Sequence, residues 1–368
     1  MIANFRHLNS WGIEILSKET LSDIDSILSD MNIPWDELQG RAMLITGATG
    51  IVGNALVGAM SAANSEKRLN MRILTHNRDI SKGKSLSEKY GVESVIGDIR
   101  EAASIAAIID PLDYIFHCAA VTDSAAMVSK PVDVITTAVD GTKNMLELAK
   151  KHKCKSFVYI SSMEIYGQLK SRNVSESDLG YLNLASPRSC YPESKRLCEA
   201  LCAAYFAQFG VNAKTARLAQ TFGCGTPRSD KRVFAQFARS AIEGKNIELH
   251  TEGKSRGNYC YISDTVRGLL TILLKGENGE AYNIANPAAS MTIREMAELV
   301  ANEVCNGEIK VVVSVPENIE KRGYAPEVDY ILNVDKLKAL GWAPKYGLDE
   351  MYRRLIFDWN GINHGEVE

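Results

Sequence analysis

An apolar strand that leads directly into a glycine-rich turn constrains this chain more than any other feature of its sequence. Residues 42–46 read Ala-Met-Leu-Ile-Thr, and Gly47, Gly50 and Gly53 follow at once. In such a turn the first glycine permits the tight bend, the second lets backbone amides approach a pyrophosphate, and the third allows close helix packing. The free N–H groups at the start of the helix then bind the anion. The sequence therefore predicts a dinucleotide-binding site at this turn.

The region from residue 41 to about 220 alternates short apolar runs with longer segments of helical period. The apolar runs are residues 42–46, 71–75, 94–96, 114–118, 156–161 and 213–218, and the helical segments include 104–109, 131–151 and 191–209. Strands separated by helices need crossover connections, which produce a parallel, doubly wound sheet. We therefore predict an α/β fold built on a Rossmann domain.

The alternation loosens after residue 221, where a helix near 232–243, short strands near 247 and 258–262, and a capping box at Thr292-x-x-Glu295 suggest a smaller α+β lobe. The predicted domains are an N-terminal helical extension (1–40), the Rossmann domain (41–220 with about 258–285) and a substrate-binding lobe (221–257 and 286–368). The lobe would cover the carboxyl edge of the sheet, where ligands bind. The extension either packs on the main body or serves assembly through Trp35.

Composition and charge narrow the classes of partner. The 368 residues carry 42 basic and 45 acidic side chains, for a net charge of −3, and 45% of them are hydrophobic. This amino-acid composition is ordinary for a globular protein. The sequence has no stripe of basic residues, so nucleic acid is not expected as a partner. We expect no membrane span, because no apolar run approaches ~20 residues, and a cytoplasmic location. The eight cysteines form no Cys-x-x-Cys pair, so we expect reduced thiols and no metal site.

The residues after the second and third predicted strands bear on the cofactor's ribose and adenine. An acidic residue that binds the ribose hydroxyl is expected at the end of the second strand, where the sequence instead has His76 and Arg78. This pair could meet a 2′-phosphate, which makes NADP plausible beside NAD, or it could simply be solvated. Asp98 follows the third strand and would either accept a hydrogen bond from the adenine amino group or cap the next helix.

A tyrosine and a lysine supply the candidate acid–base chemistry. Tyr191 and Lys195 are four residues apart and so share one face of a helix. A nearby ammonium stabilises a phenolate, so we expect the pKa of Tyr191 to fall below its usual value of about 10. Ser162 ends an upstream strand at the same sheet edge, and its hydroxyl would bind the substrate oxygen that Tyr191 deprotonates.

Further motifs occur along residues 41–355 in a fixed order. They are Thr46-Gly-Ala-Thr-Gly-Ile-Val-Gly53, Gly97-Asp98, Asp113-Tyr-Ile-Phe-His-Cys-Ala-Ala120, Gly141-Thr142, Ser161-Ser-Met-Glu-Ile-Tyr-Gly167, Tyr191-x-x-x-Lys195, Arg217-Leu-Ala-Gln-Thr-Phe-Gly223 and Tyr261-Ile-Ser-Asp264. In this order the chain resembles the extended short-chain dehydrogenase/reductases, in particular the nucleotide-sugar epimerases, dehydratases and decarboxylases. The N-terminal extension lies outside the resemblance.

The resemblance implies hydride transfer between a sugar carbon, usually C4, and a retained NAD or NADP. Tyr191 would be the acid/base, Lys195 would hold the nicotinamide ribose, Ser162 would orient the reacting hydroxyl and Gln220 would face the substrate phosphates. The implied cofactor contacts are Gly47, Thr49, Gly50, Ile51, Val52, Gly53, His76, Arg78, Asp98, Ile99, Ala119, Ala120, Tyr191 and Lys195. The implied substrate contacts are Thr122, Ser162, Met163, Gln220, Arg232, Arg256 and Arg322. The implied partners are a nucleoside-diphosphate sugar, with UDP favoured, and a second copy of the chain in a homodimer.

Hydride transfer from C4 would leave a 4-keto sugar, which the family then epimerises, dehydrates or decarboxylates. Departures from the family pattern favour one of these reactions. Met163 replaces the acid that similar 4,6-dehydratases use, while Glu164 is kept as a candidate base. Glu164 also resembles the decarboxylases, but Gly257 replaces the arginine that decarboxylases and epimerases carry seven residues before Asp264. We favour an epimerase, because Ser162, Tyr191 and Lys195 are all present on a dinucleotide-binding fold and the dehydratase acid is missing. The alternatives are a UDP-uronate decarboxylase, a 4,6-dehydratase, an NADPH-dependent keto-sugar reductase and, outside enzymes, a cofactor-sensing binding protein.

Overall fold

Seven parallel strands form the main sheet of the computed structural model, which describes residues 16–106, 108–315 and 327–362. The strands are β1 (Ala42–Thr46), β2 (Arg72–Asn77), β3 (Glu93–Ile96), β4 (Tyr114–His117), β5 (Ser156–Ser162), β7 (Ala213–Leu218) and β11 (Ala281–Ile284). Their order is β11-β7-β5-β4-β1-β2-β3, so the chain winds outward from β1 in both directions. The predicted doubly wound α/β fold is confirmed.

Helices cover both faces of this sheet. They are α2 (Ile51–Glu66), α3 (Ile80–Tyr90), α4 (Ala102–Ala106), α5 (Ser124–Ser129), α6 (Pro131–His152), α7 (Cys190–Phe209) and α9 (Ile262–Lys275). The helix predicted over residues 104–109 is wrong in extent: α4 begins two residues earlier and is only about one turn long. Pro111 follows closely, and a proline disfavours helical backbone in the residue before it.

Shorter strands and helices build the smaller lobe. A three-stranded sheet joins β8 (Gln220–Phe222) and β12 (Asn286–Thr292) to a central β10 (Arg256–Tyr261). Two strand pairs flank it: β6 (Asn173–Val174) with β14 (Ile331–Leu332), and β9 (Ile247–Leu249) with β13 (Val311–Val313). The helices are α8 (Val233–Glu243), α10 (Ile293–Leu299), α11 (Asp335–Lys338) and α12 (Leu348–Ile362). The predicted capping box opens α10. The domain boundaries stay a prediction.

The described part of the N-terminal extension packs on the main body. Its helix α1 (Lys18–Leu28) contacts α2, α9 and α12. Asp23 accepts a hydrogen bond from the Tyr261 hydroxyl at 2.8 Å, and Asp30 pairs with Arg267 at 2.9 Å. Trp35 is only 8% exposed and belongs to the main apolar core, so it does not mark an external contact surface.

The buried carboxyl of Asp23 gives the docking of α1 a pH dependence. Burial raises its pKa to about 7, against the lowering effects of the Tyr261 hydrogen bond and the Arg354 charge. A raised carboxyl pKa costs stability once pH exceeds the unfolded value, so stability should fall as pH rises from about 4 to 7. The unmodified protein should lose roughly 2–4 kcal/mol of unfolding free energy between pH 5 and pH 8, and Asp23→Asn should abolish this loss. Urea unfolding of both proteins at the two pH values measures it, and equal losses in both would contradict the expectation.

Within the described ranges, no helix is both long and apolar enough to cross a bilayer. All eight cysteines are free thiols; six are buried and two are half-buried.

Candidate active site

The glycine turn after β1 has the shape that a pyrophosphate requires. Gly47 has φ +65°, and a Cβ there would lie 2.7 Å from the amide nitrogen of Ala119. A Cβ on Gly53 would lie 2.3 Å from the Gly47 carbonyl oxygen. Gly50 is the N-cap of α2 and provides no side-chain cap, so the first amides of the helix stay available for an anion. The residues present therefore fit a bound dinucleotide.

The remaining residues predicted around this turn lie close to it. Thr49 is exposed, Ile51 and Val52 are half-buried in the first turn of α2, and Ala119 and Ala120 are half-buried just after β4. The structure thus brings the turn and the end of β4 together at the carboxyl edge of the sheet.

Gly53→Ala tests the close approach of α2 to the turn. The new methyl would collide with backbone atoms, which cannot rotate away, so we expect at least tenfold weaker dinucleotide binding. Overpacking of this kind also costs about 1–3 kcal/mol of stability. Gly58→Ala is the matched control on the same helix, since its Cβ meets only the Tyr90 side chain, at 3.3 Å. Calorimetric titration measures binding, and equal effects of the two variants would contradict this account.

The buried side chain of His117, at the end of β4, contacts the end of β1 and helix α6. The sequence analysis did not predict this role. His117 Nδ1 lies 2.9 Å from Thr46 Oγ1, and its Nε2 lies 3.1 Å from Thr142 Oγ1 on α6. Thr46 Oγ1 also accepts a hydrogen bond from the backbone N–H of Ala119. Burial lowers the pKa of His117 to about 3, so the ring is neutral. Both His117 and Thr142 lie in motifs noted above, which was the available signal.

The residues predicted to face the cofactor's ribose and adenine lie at and just after the ends of β2 and β3. His76 is 4% exposed, and its Nε2 has no hydrogen-bond partner in the described part of the chain. Arg78 is exposed. Asp98 contacts Arg100 with both carboxylate oxygens, and this hydrogen bonding lowers its pKa. Ile99 is buried in the core beside α6.

The three predicted catalytic residues converge between β5 and α7. Ser162 ends β5, and its hydroxyl hydrogen-bonds Tyr191, which is 8% exposed near the start of α7. Lys195 lies one turn further along, and its Nζ donates to the Ile160 carbonyl oxygen at 2.6 Å. The ammonium is 5.8 Å from the centre of the Tyr191 ring. This arrangement places a hydroxyl, a phenol and a buried ammonium at one end of the sheet.

The expected lowering of the Tyr191 pKa is wrong for this structure. The pKa of Tyr191 is raised to about 12, chiefly by burial and then by the charge of Glu164. The hydrogen bond from Ser162 and the cations Arg188 and Arg232 lower it, but by less. Lys195 turns its ammonium to a backbone carbonyl, and burial lowers its own pKa to about 8. Sequence spacing identified the pair but not the desolvation that outweighs it.

Glu164 is held by an arginine that the sequence analysis had not assigned to it. Arg188 Nη1 lies 2.7 Å from Glu164 Oε2, and Nη2 lies 3.2 Å from Oε1, which is a two-pronged contact. The backbone N–H of Glu164 donates to Ser162 Oγ. The carboxylate is therefore oriented beside Ser162 and Tyr191.

The residues predicted to contact the substrate have different environments. Gln220 is half-buried on β8, and Thr122 is exposed just before α5. Met163 is 8% exposed and packs in the main apolar core. Arg322 lies outside the described residues.

Arg232, another residue predicted to contact the substrate, lies at the start of α8. It is exposed at the N-cap of α8, paired with Asp230 at 2.6 Å and stacked 4.6 Å from the Phe234 ring. Its charge lowers the pKa of Tyr191.

Arg256 does not take the place of the arginine missing at position 257. Its guanidinium pairs with Asp329 at 2.7 Å and lies 3.8 Å from Glu295. A Cβ at Gly257 would lie 2.2 Å from the Tyr259 hydroxyl, so a side chain at that position would collide with Tyr259.

Comparison with known proteins agrees with this geometry. Residues 43–285 match the NAD dependent epimerase/dehydratase family. UDP-glucuronic acid decarboxylase 6 of Arabidopsis thaliana is 31% identical over 84% of this chain and 85% of its own length. UDP-glucuronic acid decarboxylase 1 of Danio rerio is 28% identical over 87% of this chain and 73% of its own length.

Solved structures share the fold at lower identity. UDP-glucose 4-epimerase of Thermotoga maritima superposes with a TM-score of 0.75 at 22% identity, covering 88% of this chain and 99% of that one. A dTDP-glucose 4,6-dehydratase of Bacillus anthracis, solved in complex with NAD, gives 0.71 at 21% identity, with coverage of 88% and 98%. The chain therefore belongs to the NAD dependent epimerase/dehydratase family, a group of enzymes within the extended short-chain dehydrogenase/reductases.

Proposed function

We propose that this protein oxidises C4 of a nucleoside-diphosphate sugar to a 4-keto intermediate and returns the hydride to the opposite face, as an epimerase. The observation that carries the proposal is the convergence of Ser162, Tyr191 and Lys195 at the sheet edge that also holds the glycine turn. NAD(P), when bound and retained through turnover, supplies hydride acceptance and return.

The protein's own side chains handle the proton. Tyr191, acting as the phenolate, takes the proton of the sugar's C4 hydroxyl while the hydride leaves C4. Ser162 donates a hydrogen bond to the C4 oxygen as negative charge develops on it. Arg188 and Arg232 lower the pKa of Tyr191 from the cleft side. Lys195 is 3% exposed, and its ammonium would hold the nicotinamide ribose. The same phenol returns the proton when the keto group is reduced.

The start of α8 suits the substrate's diphosphate. Among the described residues Arg232 pairs with Asp230 through Nε and Nη2, which leaves Nη1 to reach a phosphate oxygen beside the uncapped start of the helix. A planar guanidinium matches phosphate oxygens, and a helix start favours anions. The names of the relatives support UDP as the nucleotide, and Gln220 would lie on the phosphate side.

The surroundings of position 257 weigh against a uronate substrate, although the arginine replaced there is one that epimerases and decarboxylases both carry. A uronate brings a second negative charge that needs a cation. Gly257 leaves no room for an arginine beside Tyr259, and the neighbouring Arg256 is engaged by Asp329.

Decarboxylation of a UDP-uronate is the second candidate. Glu164 and Arg188 form an oriented ion pair beside Tyr191, and the curated relatives named above are UDP-glucuronic acid decarboxylases. Loss of carbon dioxide from the 4-keto uronate leaves the electrons of the C5–C6 bond as an enolate, and Glu164 would pass a proton to C5.

A substrate panel distinguishes these reactions. The purified protein is incubated with nucleotide sugars, including a uronate, without added cofactor, and product mass and chromatographic retention are recorded. We expect an unchanged mass at a new retention time. Loss of carbon dioxide that disappears in Glu164→Gln would establish the decarboxylase, and loss of water the dehydratase. Product only with added NADPH would indicate the reductase, and no product under any condition a binding protein.

We also propose a cytoplasmic homodimer that packs through α6 and α7. Val132, Ile135 and Leu197 on these adjacent helices are 68%, 41% and 49% exposed, and a dimer formed through the two helices would cover them. Sedimentation should give twice the chain mass, and Leu197→Glu should give a monomer.

A further inference from the structure

We infer that this protein binds NADP in preference to NAD, with His76 and Arg78 forming the site for the 2′-phosphate. The inference concerns the cofactor alone and does not depend on which sugar reaction the protein performs.

The position of the two residues is fixed by the sheet. His76 is paired in register with Thr46, the last residue before the glycine turn. It therefore lies at the carboxyl end of β2, beside the pyrophosphate cradle. This is where an acidic side chain binds the ribose hydroxyls of NAD, or an arginine accommodates the phosphate of NADP.

The acidic and amide groups near this point are already engaged. Asp79 accepts hydrogen bonds from the backbone N–H groups of Ser81 and Lys82 as the cap of α3. Asp98 is held by both prongs of Arg100. Both carboxylates are therefore committed to local partners and are not positioned to bind a 2′-hydroxyl.

Asn77, between the two basic residues, is also committed. Its amide nitrogen donates to Thr75 Oγ1 at 2.9 Å and to Ser94 Oγ at 2.8 Å. The side chain thus points into the sheet between β2 and β3, and His76 and Arg78 are the groups left for a ligand.

The two basic residues differ from a solvated surface pair. His76 is 4% exposed, and its buried Nε2 has no hydrogen-bond partner among the described residues. A buried polar nitrogen without a partner costs free energy, so a turn of the imidazole toward a phosphate oxygen would be favourable. Burial lowers the pKa of His76, so its Nε2 would serve as a neutral donor. Arg78 is exposed and makes no ion pair within the described part of the chain. A 2′-phosphate would therefore pair first with the exposed Arg78 guanidinium, with the neutral His76 imidazole as a second donor beneath it.

The negative charge of the 2′-phosphate should make the protein bind NADP more tightly than NAD. Hydrogen bonds to a charged phosphate are the strongest of the protein hydrogen bonds, and a guanidinium offers two parallel donors. We expect NADP to bind at least about tenfold more tightly than NAD. Arg78→Ala should remove most of this preference by weakening NADP binding, with NAD affinity little changed.

The test uses binding to the full chain. The dinucleotide that copurifies is released and identified by mass, and the emptied protein is titrated with NADP and with NAD by calorimetry. Lys84→Ala is the control, since it removes an exposed cation further along α3 that pairs with Glu88 at 3.7 Å. His76→Gln is titrated as a second variant.

The expected result is retained NADP and an NADP preference that falls in Arg78→Ala and in His76→Gln but not in Lys84→Ala. Equal or tighter binding of NAD by the unmodified protein would overturn the inference. So would an equal loss of both cofactors in Arg78→Ala. A protein that prefers NADP yet fails on every nucleotide sugar would contradict the proposed function and leave this inference standing.

Discussion

Replacing Tyr191 with phenylalanine is expected to reduce kcat by about 10³-fold. The substitution keeps the ring, which is nearly buried at the start of α7, and removes only the hydroxyl that receives the hydrogen bond from Ser162. General acid–base catalysis contributes about 10² to 10⁴ in rate, so the loss of its only oxygen should cost most of the turnover. The measurement is initial-rate kinetics on the nucleotide sugar that the substrate panel identifies.

Tyr159→Phe is the matched control for Tyr191→Phe. Tyr159 is a buried phenol on β5 whose ring also lies next to the Lys195 ammonium, at 4.7 Å. Its hydroxyl has no role in the proposed proton transfer, so we expect kcat within a few-fold of the unmodified protein. Both variants should still bind dinucleotide. A fully active Tyr191→Phe, or an equal loss in the two variants, would refute the assignment of the acid/base.

The features that sequence predicted are those whose signal is local or follows from topology. The turn with Gly47 and Gly53 is readable because its glycines, strand and helix are contiguous. Ser162 and Tyr191 were brought together correctly because parallel strands end at one edge of a sheet. Neither prediction needed a side-chain distance.

Contacts between distant residues were not predictable in the same way. His117 contacts Thr46 and Thr142 across separations of 71 and 25 residues. From the sequence alone, several other hydroxyl side chains could have been the partners of His117. The docking of α1 likewise depends on Asp30 meeting an arginine 237 residues away. Helical periodicity predicts that α1 is a helix, but it does not predict which residues α1 contacts.

The direction of the Tyr191 pKa shows how burial can reverse a correct motif. Tyr191 and Lys195 do lie one turn apart on α7, and an ammonium near a phenol does favour the phenolate. Burial of the phenol acts in the opposite direction, and Lys195 donates to a backbone carbonyl instead. Desolvation is a property of the packed interior, which a motif does not encode.

Replacing Arg267 with methionine is expected to lower the free energy of unfolding by about 3–5 kcal/mol, because it leaves two buried carboxylates without their cation. Arg267 is 2% exposed on α9 and pairs with Asp264 and with Asp30 of the N-terminal extension. Asp264 is fully buried, and the backbone N–H of Lys345 remains as one of its donors. Urea unfolding at pH 7 measures the loss.

Arg72→Met is the control for Arg267→Met, since Arg72 also pairs with two carboxylates, Glu93 and Asp110, but at the surface. Exposed pairs contribute about 0–1 kcal/mol, so a small loss is expected there. Adding Asp30→Asn to Arg267→Met should recover part of the stability, because it removes one of the two unpaired charges. Equal losses in the arginine variants, or no recovery in the double variant, would show that the buried charges do not hold the extension to α9.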